Sequence, residues 1–365
     1  MKRPRIKLVH APERRANGRI RLGASQYGVA AELVDDLEGT TWRLLGLLDG
    51  SRDLDTIVQE MQLAVPTLDS GAIRGAVEKF VSAGFVEDAA APATGLTQDE
   101  VRRYLSNTHY LAWVDMQPRA SPYVHQERLK GASVTVLGLG GTGSAVAMSL
   151  AATGLGALRC VDGDVVETEN LNRQLLYTEA DVGRAKAEAA CERLRQLNAL
   201  VHVVGEVRSI DSPDAAATLM DRCDLLILCA DKPRGEIQRW VGKAALRTGT
   251  PWILSAYAGP TIVIGTFVPN ETPCFGCYEH HVGLQRAAEG AGELLFDQGE
   301  INPVIAPVAS LAGHFAALEA IYFLTGIKQQ TVGRVFHQNL IAYEDHYFVE
   351  APFWPECPDC ARHGT

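Results

Sequence analysis

The stretch Val134–Ser144, VTVLGLGGTGS, decides the fold. Val134, Val136 and Leu137 make an apolar β run, and Gly138, Gly140, Gly141 and Gly143 follow at once. Ala145 to Leu155 is rich in Ala and small apolar residues and reads as a helix. Strand, glycine turn and helix together aim backbone N–H groups and a positive helix end at a phosphate. Glycine is needed because a side chain would block that approach and because tight turns often take positive φ. Taken alone, the motif fits a dinucleotide site or a plain βα turn.

The residues downstream sharpen this reading. Leu158 to Val161 is a second short strand, ending in Asp162-Gly163-Asp164. An acid at the tip of the second strand, about twenty residues past the glycines, usually takes a ribose hydroxyl. A nicotinamide dehydrogenase would read the same way to this point. Then comes Glu169-Asn170-Leu171-Asn172-Arg173-Gln174, and Val182 to Ala187 opens the next helix with Lys186. Leu225 to Cys229 is a buried-type strand that ends in Ala230-Asp231. An arginine, a lysine and an acid therefore gather where a triphosphate would lie. Nucleotidyl transfer needs that set: cations offset phosphate charge and an acid holds magnesium.

GxGGxGS, DGDxVExxNLNRQ, GRAKA and the strand-end Asp231 resemble the adenylyltransferases related to ubiquitin-activating enzymes, the ThiF/MoeB/HesA group. The resemblance covers roughly residues 97–365. It implies a Rossmann-like, doubly wound, mainly parallel α/β sheet with an antiparallel C-terminal extension, and ATP with magnesium. The glycines would cradle the nucleotide, with Asp162 on the ribose and Asp164 beside it. Arg173 and Lys186 would bind phosphates, Asp231 magnesium, and Asn170, Asn172 and Gln174 phosphate or carboxylate oxygens. A homodimer is also implied. The family commonly continues Arg-Tyr-x-Arg in its first helix, the second arginine reaching the partner's nucleotide. Here Arg103-Tyr104-Leu105-Ser106 puts Ser106 in that place, and Arg102, Arg103, Arg119 and Arg128 are the available substitutes.

Composition bounds the alternatives. The chain has 365 residues, 47% of them hydrophobic and 21% charged, enough for two domains with ordinary cores. A net charge of −10 argues against nucleic acid as a partner. No run of about eighteen apolar residues stands out, so no membrane span is expected. The basic start Met1-Lys2-Arg3-Pro4-Arg5 leads into no apolar signal core. Four of the eight cysteines fall in two CxxC pairs and four are scattered in apolar segments, which suits a reducing cytoplasm.

Residues 1–88 read as a unit of their own, with 89–96 as a linker and 97–365 as the main domain. Ile6–His10 and Arg19–Leu22 are candidate strands, and Gly28–Leu37 leads into a helix at Thr40–Leu48. Two more helices follow at Leu54–Met61 and Ser70–Ala83, then a β return at Gly84–Val86. That is a winged-helix pattern. Its 12 Lys and Arg against 13 Asp and Glu, with no basic helix face, argue against DNA. The LLDGSRDLDTIVQEM and VEKFVSAGFV segments resemble the PqqD-like leader-recognition domain of ribosomal-peptide modification systems. The resemblance implies a precursor peptide whose leader adds a strand to an exposed β edge. The plain alternative is a scaffolding domain. Thr97 to Tyr104 reads as a helix with Thr97 as N-cap and Glu100 completing a capping box.

Past Pro260 the pattern becomes antiparallel, with a strand at Thr261–Val268. Cys274-Phe275-Gly276-Cys277 and Cys357-Pro358-Asp359-Cys360 are two knuckles suited to tetrahedral zinc, and a redox CxxC is the rival. The long gap between them matches the adenylyltransferase family. Family members that pass an activated carboxylate to a protein thiol carry a cysteine soon after the second zinc cysteine. Tyr278 to Gly299 has none, though His280, His281 and Asp297 lie there. Cys160, Cys191, Cys223 and Cys229 read as packed core thiols. A thioester step is therefore not expected. The long apolar helix at Ile305–Leu324 reads as core, with Ala309, Ala316, Ala317 and Ala320 permitting close approach.

Three functions follow as expectations. The first is adenylation of a carboxylate on a ribosomally made precursor peptide. The second is a docking protein that presents the leader to a separate azoline-forming cyclodehydratase. The third is activation of a ubiquitin-like sulfur carrier.

Overall fold

The computed structural model describes residues 1–23, 30–290 and 303–361. Gly28 and Asp297 lie outside the described residues. The chain divides into two compact units, 1–128 and 129–365.

The first unit holds β1 (Pro4–Ile6), β2 (Pro12–Arg14), β3 (Arg19–Leu22), β4 (Ala31–Val34), α1 (Thr40–Leu47), α2 (Leu54–Ala64), α3 (Ser70–Ser82) and β5 (Val86–Asp88). Then come α4 (Gln98–Arg103), α5 (Leu105–Val114) and α6 (Val124–Gly131), in which the division between the units falls. The candidate strand at Ile6–His10 is a correction: β1 ends at Ile6 and Leu8–His10 is a 3-10 turn. The β return pairs antiparallel with β1, Ile6 facing Val86, while β2, β3 and β4 form a separate three-stranded sheet. Asp53 and Asp69 cap α2 and α3 by accepting the N–H of Thr56 and Ala72, satisfying donors the helices leave free. Thr97 and Glu100 form the expected capping box on α4. Ile20, Leu22, Leu44, Leu45, Ile57, Met61 and Val77 fill one core.

Residues 97–128 cluster with this unit, and buried polar contacts explain it. Lys7 Nζ donates to the Asp115 carbonyl at 2.6 Å. A Cβ on Gly84 would lie 2.0 Å from the Met116 carbonyl oxygen, so only glycine permits that approach. The buried Asp115 carboxylate accepts from Arg119 Nε at 2.6 Å and stands 2.7 Å from His125 Nε2. Burial pushes this carboxyl up, but hydrogen bonds from His125, Arg119 and the Gln117 N–H outweigh it and hold it well below its usual range.

The second unit is built on an eight-stranded sheet in the order β13-β12-β11-β10-β9-β6-β7-β8. Its strands are β6 (Ser133–Leu137), β7 (Ala157–Asp162), β8 (His202–Val207), β9 (Leu225–Leu228), β10 (Trp252–Ala258), β11 (Thr261–Phe267), β12 (Val335–Asn339) and β13 (His346–Val349). The five from β8 to β10 run parallel and the last three antiparallel. Helices α7 (Gly141–Ala152), α8 (Lys186–Leu197), α9 (Pro213–Thr218), α10 (Ile237–Thr248), α11 (Phe275–Ala288) and α12 (Ala306–Thr325) complete it. Helices α9 and α10 supply Ala216, Leu219, Ile237, Val241 and Ala244 to a core with Leu226, Leu228 and Trp252. The doubly wound sheet with an antiparallel extension is therefore present, and the sequence reading missed β2, β4, β12 and β13. The chain leaves β6 toward β7 on one side and returns to β9 on the other. That reversal opens a crevice at the carboxyl ends of β6 and β9, where open α/β sheets bind ligands.

Helix α12 is long and apolar enough by composition to span a membrane, but half of its apolar window is buried, which suits the core helix expected from the sequence. It packs on α7 through small residues. A Cβ on Gly313 would lie 2.3 Å from the Thr142 carbonyl oxygen. Buried Glu319 accepts the Thr331 N–H at 3.0 Å and so ties the end of α12 to the approach to β12.

Replacing Asp115 by Asn tests the buried cluster. The change removes a charge that its partners need and is expected to cost ~3 kcal/mol at neutral pH. The folded-state carboxyl titrates below the unfolded one, so its stabilisation is present above pH ~4 and lost as pH falls. The gap between wild type and variant in urea melts should be about 1 kcal/mol smaller at pH 3 than at pH 6. An equal gap at both would refute the assignment.

Candidate active site

The glycine turn is shaped by three close approaches. Gly138 has φ of 92°, and a Cβ there would lie 2.5 Å from the Ala230 nitrogen. On Gly143 it would lie 1.8 Å from the Gly138 carbonyl oxygen, and on Gly141 2.7 Å from the Ala309 Cβ and 2.9 Å from the Arg173 carbonyl oxygen. Gly140 is the looser of the four: the nearest atom to its Cβ position is Gln174 Nε2 at 3.8 Å. It is the N-cap of α7 and leaves that helix end without a side-chain cap. The first-turn N–H groups of α7 are thus open to an anion.

Leu139, between the glycines, is pinned at both polar atoms. Its N–H donates to Asp162 Oδ2 at 2.6 Å, and its carbonyl accepts from Ser144 Oγ at 2.9 Å and Tyr177 Oη at 3.0 Å. Asp162 Oδ1 accepts the Asp164 N–H at 2.8 Å. Burial pushes the Asp162 carboxyl up, and the Lys186 charge and the two N–H groups offset part of that. Asp162 thus holds the turn whatever else it binds. Tyr177 was missed in the sequence because its role rests on a backbone contact 38 residues away.

The remaining candidates surround this turn. Lys186 begins α8, is buried, and donates from Nζ to Asp164 Oδ2 at 3.0 Å. Gln174 is buried, and its Oε1 has no hydrogen-bond partner. Arg173 Nη1 donates to the Glu169 carbonyl at 3.0 Å and to Asn172 Oδ1 at 2.8 Å. Asn170 Oδ1 accepts the Glu167 N–H at 3.1 Å and so caps its own turn. Asp231 is exposed, one residue past the Ala230 that touches Gly138. The fold therefore gathers Gly138, Gly140, Gly141, Gly143, Asp162, Asp164, Arg173, Gln174 and Lys186 around one turn, and Asp231 follows from the adjacent strand. An uncapped helix end, cations and a glycine cradle suit a nucleotide phosphate.

Cys274, Cys277, Cys357 and Cys360 converge, their sulfurs within 4.8 Å of one another. The Sγ distances of 3.8, 3.6 and 3.4 Å for 274–277, 274–357 and 277–360 exclude disulfides. A tetrahedral metal with bonds of about 2.3 Å spaces its sulfurs about 3.8 Å apart, so the donor set fits one. A Cβ on Gly276 would lie 2.7 Å from Asp359 Oδ2, so the first knuckle needs its glycine. His280 and His281 lie on α11, and His280 stacks on Trp354 with centroids 3.9 Å apart. Cys160 and Cys191 are buried, and burial pushes the Cys223 and Cys229 thiols up, which makes both poor nucleophiles.

The fold and the crevice define a protein of the doubly wound α/β class with a four-cysteine centre. The chain belongs to the ThiF family, whose model matches residues 113–359. It is 34% identical over 213 residues to the sulfur carrier protein ThiS adenylyltransferase of Bacillus subtilis, covering 58% of this chain and 60% of that one. It is 31% identical over 248 residues to the probable adenylyltransferase/sulfurtransferase MoeZ of Mycobacterium tuberculosis, covering 67% and 58%. The chain thus spans little more than half the length of these relatives. E. coli MccB, solved with ATP, superposes with a TM-score of 0.75 at 20% identity, covering 98% of this chain and 99% of that one. PaaA gives 0.72 at 24% identity, covering 94% and 98%. These two likenesses are of fold.

Purified protein is expected to carry about one zinc per chain by elemental analysis. Cys357→Ala should lose it, and the thermal transition should drop by several degrees. Metal content unchanged by that substitution would overturn the four-thiolate centre.

Proposed function

We propose that this chain adenylates a carboxylate of a peptide. A carboxylate oxygen would attack the α-phosphorus of ATP, the bond to the β-phosphate oxygen would break, and pyrophosphate would leave. The observation that carries this reading is the glycine turn with its uncapped α7 end, ringed by Arg173, Lys186 and Gln174. In this reading Arg173 and Lys186 bind phosphates and Asp231 holds magnesium. Asp164 would release Lys186 when phosphate competes for it. Zinc in the four-cysteine centre would be structural. Cys160 and Cys191 are buried and Cys223 and Cys229 are poor nucleophiles, so the acyl-adenylate would go directly to an amine, an amide or another acceptor. A homodimer in the cytoplasm belongs to the same reading.

The N-terminal unit is proposed as a PqqD-like winged-helix module that holds the peptide's leader. Support comes from β2 and β4, the outer strands of the three-stranded sheet among the described residues, and from exposed Val34 on β4 and Leu37 just past it. It also comes from MccB, a Microcin C7 biosynthetic enzyme solved with N-formylated MccA, which shares the fold across 98% of this chain. The second reading, activation of a sulfur carrier protein, is favoured by the ThiS adenylyltransferase likeness.

ATP–pyrophosphate exchange tests the proposal. Exchange that depends on added peptide, and that falls at least a hundredfold in Asp231→Ala, is the expected result. Exchange supported by a sulfur carrier protein alone would favour the second reading. No exchange, with the leader still bound, would make the chain a docking protein.

A further inference from the structure

Lys186 carries its charge where a lysine needs a partner. Its side chain is 7% exposed, and an unpaired ammonium is costly to bury. Among the described residues, Asp164 is the one acceptor its Nζ meets, with Oδ2 at 3.0 Å. The Asp164 side chain is 73% exposed. One end of this ion pair is thus fixed in the protein and the other stands in water, so the carboxylate forms the solvent side of the lysine. The Lys186 charge reaches Asp162 too. Asp162, however, is buried and spends both oxygens on the N–H groups of Leu139 and Asp164.

The backbone around the pair is held on both sides. The Asp164 N–H donates to Asp162 Oδ1 at 2.8 Å, and the Asp164 carbonyl accepts the Lys186 N–H at 3.0 Å. Val165 bridges Ala185, the Val166 N–H donates to the Arg184 carbonyl at 2.9 Å, and the Val166 carbonyl accepts the Gly183 N–H at 2.8 Å. The two segments run side by side, which leaves the Asp164 side chain free to turn on a fixed backbone. Arg173 differs. Its Nη1 donates to the Glu169 carbonyl and to Asn172 Oδ1, both neutral groups. Of the two cations assigned to phosphate, Lys186 is the one with a carboxylate on it.

An anion that takes Lys186 must take it from Asp164. The exchange costs little, because the lysine keeps an anionic partner and an exposed carboxylate regains its water. We propose that Asp164 is a built-in competitor of the nucleotide phosphates for Lys186, and that it holds the affinity for ATP below what Lys186 would otherwise give. This reverses the role implied by the sequence resemblance, in which Asp164 sits beside the ribose as a nucleotide ligand. Loss of a ligand weakens binding, and loss of a competitor strengthens it. The inference rests on the adenylation reading above.

The test is ATP binding to the full chain by titration calorimetry, with magnesium and without peptide, so no turnover is needed. Asp164→Asn removes the charge and keeps the size, and Kd for ATP should fall about five- to tenfold. In a Lys186→Ala background the same change should move Kd by less than about twofold, since nothing is left to compete for. Glu169→Gln removes another exposed acid of this loop and should also leave Kd within about twofold. If Lys186→Ala binds ATP too weakly to titrate, Glu169→Gln decides. Weaker or unchanged binding in Asp164→Asn would overturn the inference and leave adenylation standing. An equal gain without Lys186, or from Glu169→Gln, would mark a general effect of charge and overturn it too. No ATP binding by wild type and variants alike would overturn the adenylation reading, and this inference with it.

Discussion

The peptide unit at Leu139 is the constraint on which the crevice depends. Its N–H is held by Asp162 and its carbonyl by Ser144 and Tyr177, from three different elements. Each bond contributes about 1 kcal/mol, but their joint effect is geometric. They fix one conformation of a turn that four glycines would otherwise leave loose. Tyr177 also reaches the Lys186 carbonyl at 3.4 Å, so one phenol spans the glycine turn and the start of α8. The same contacts place two helix N-termini and a cation about one point, which is the pre-organisation that the proposed phosphate chemistry requires.

The second constraint is closeness. Helix α7 meets α12 through Gly313, and meets the turn through Gly143, at distances that no side chain would allow. Gly141 touches Ala309 in the same way. Helix α7 is therefore wedged between the glycine turn and the long helix behind it. Rigidity at its N-terminus comes from this packing, since no side chain caps that end.

Much of the crevice was legible because glycine spacing, a strand-end acid and a helix-opening lysine each carry a local physical meaning. The knuckles were legible for the same reason. Other features were hidden by their local composition. Val335–Asn339 and His346–Val349 mix aromatic and polar residues that are mostly half-buried or exposed, so neither gives a clean alternation, yet both are strands. Helix α11 hid because GCYEHHVGLQ shows no apolar stripe, its inner face being built around Cys277. Leu8–His10 mimicked a strand through two apolar residues. Tyr177 was invisible for a different reason: it matters through a backbone carbonyl 38 residues away.

The two cysteine knuckles stand 83 residues apart in the chain, Cys274 to Cys357 and Cys277 to Cys360. A clip that closes a loop of that size removes unfolded-chain entropy equivalent to ~4–5 kcal/mol, by the same accounting as a disulfide. Everything between the clips, including α12 and the last two strands, belongs to that loop. A metal ion no larger than one atom would then set the folding cooperativity of nearly a quarter of the molecule. The supply of that ion in the cell would act on this protein's abundance before it acted on its chemistry.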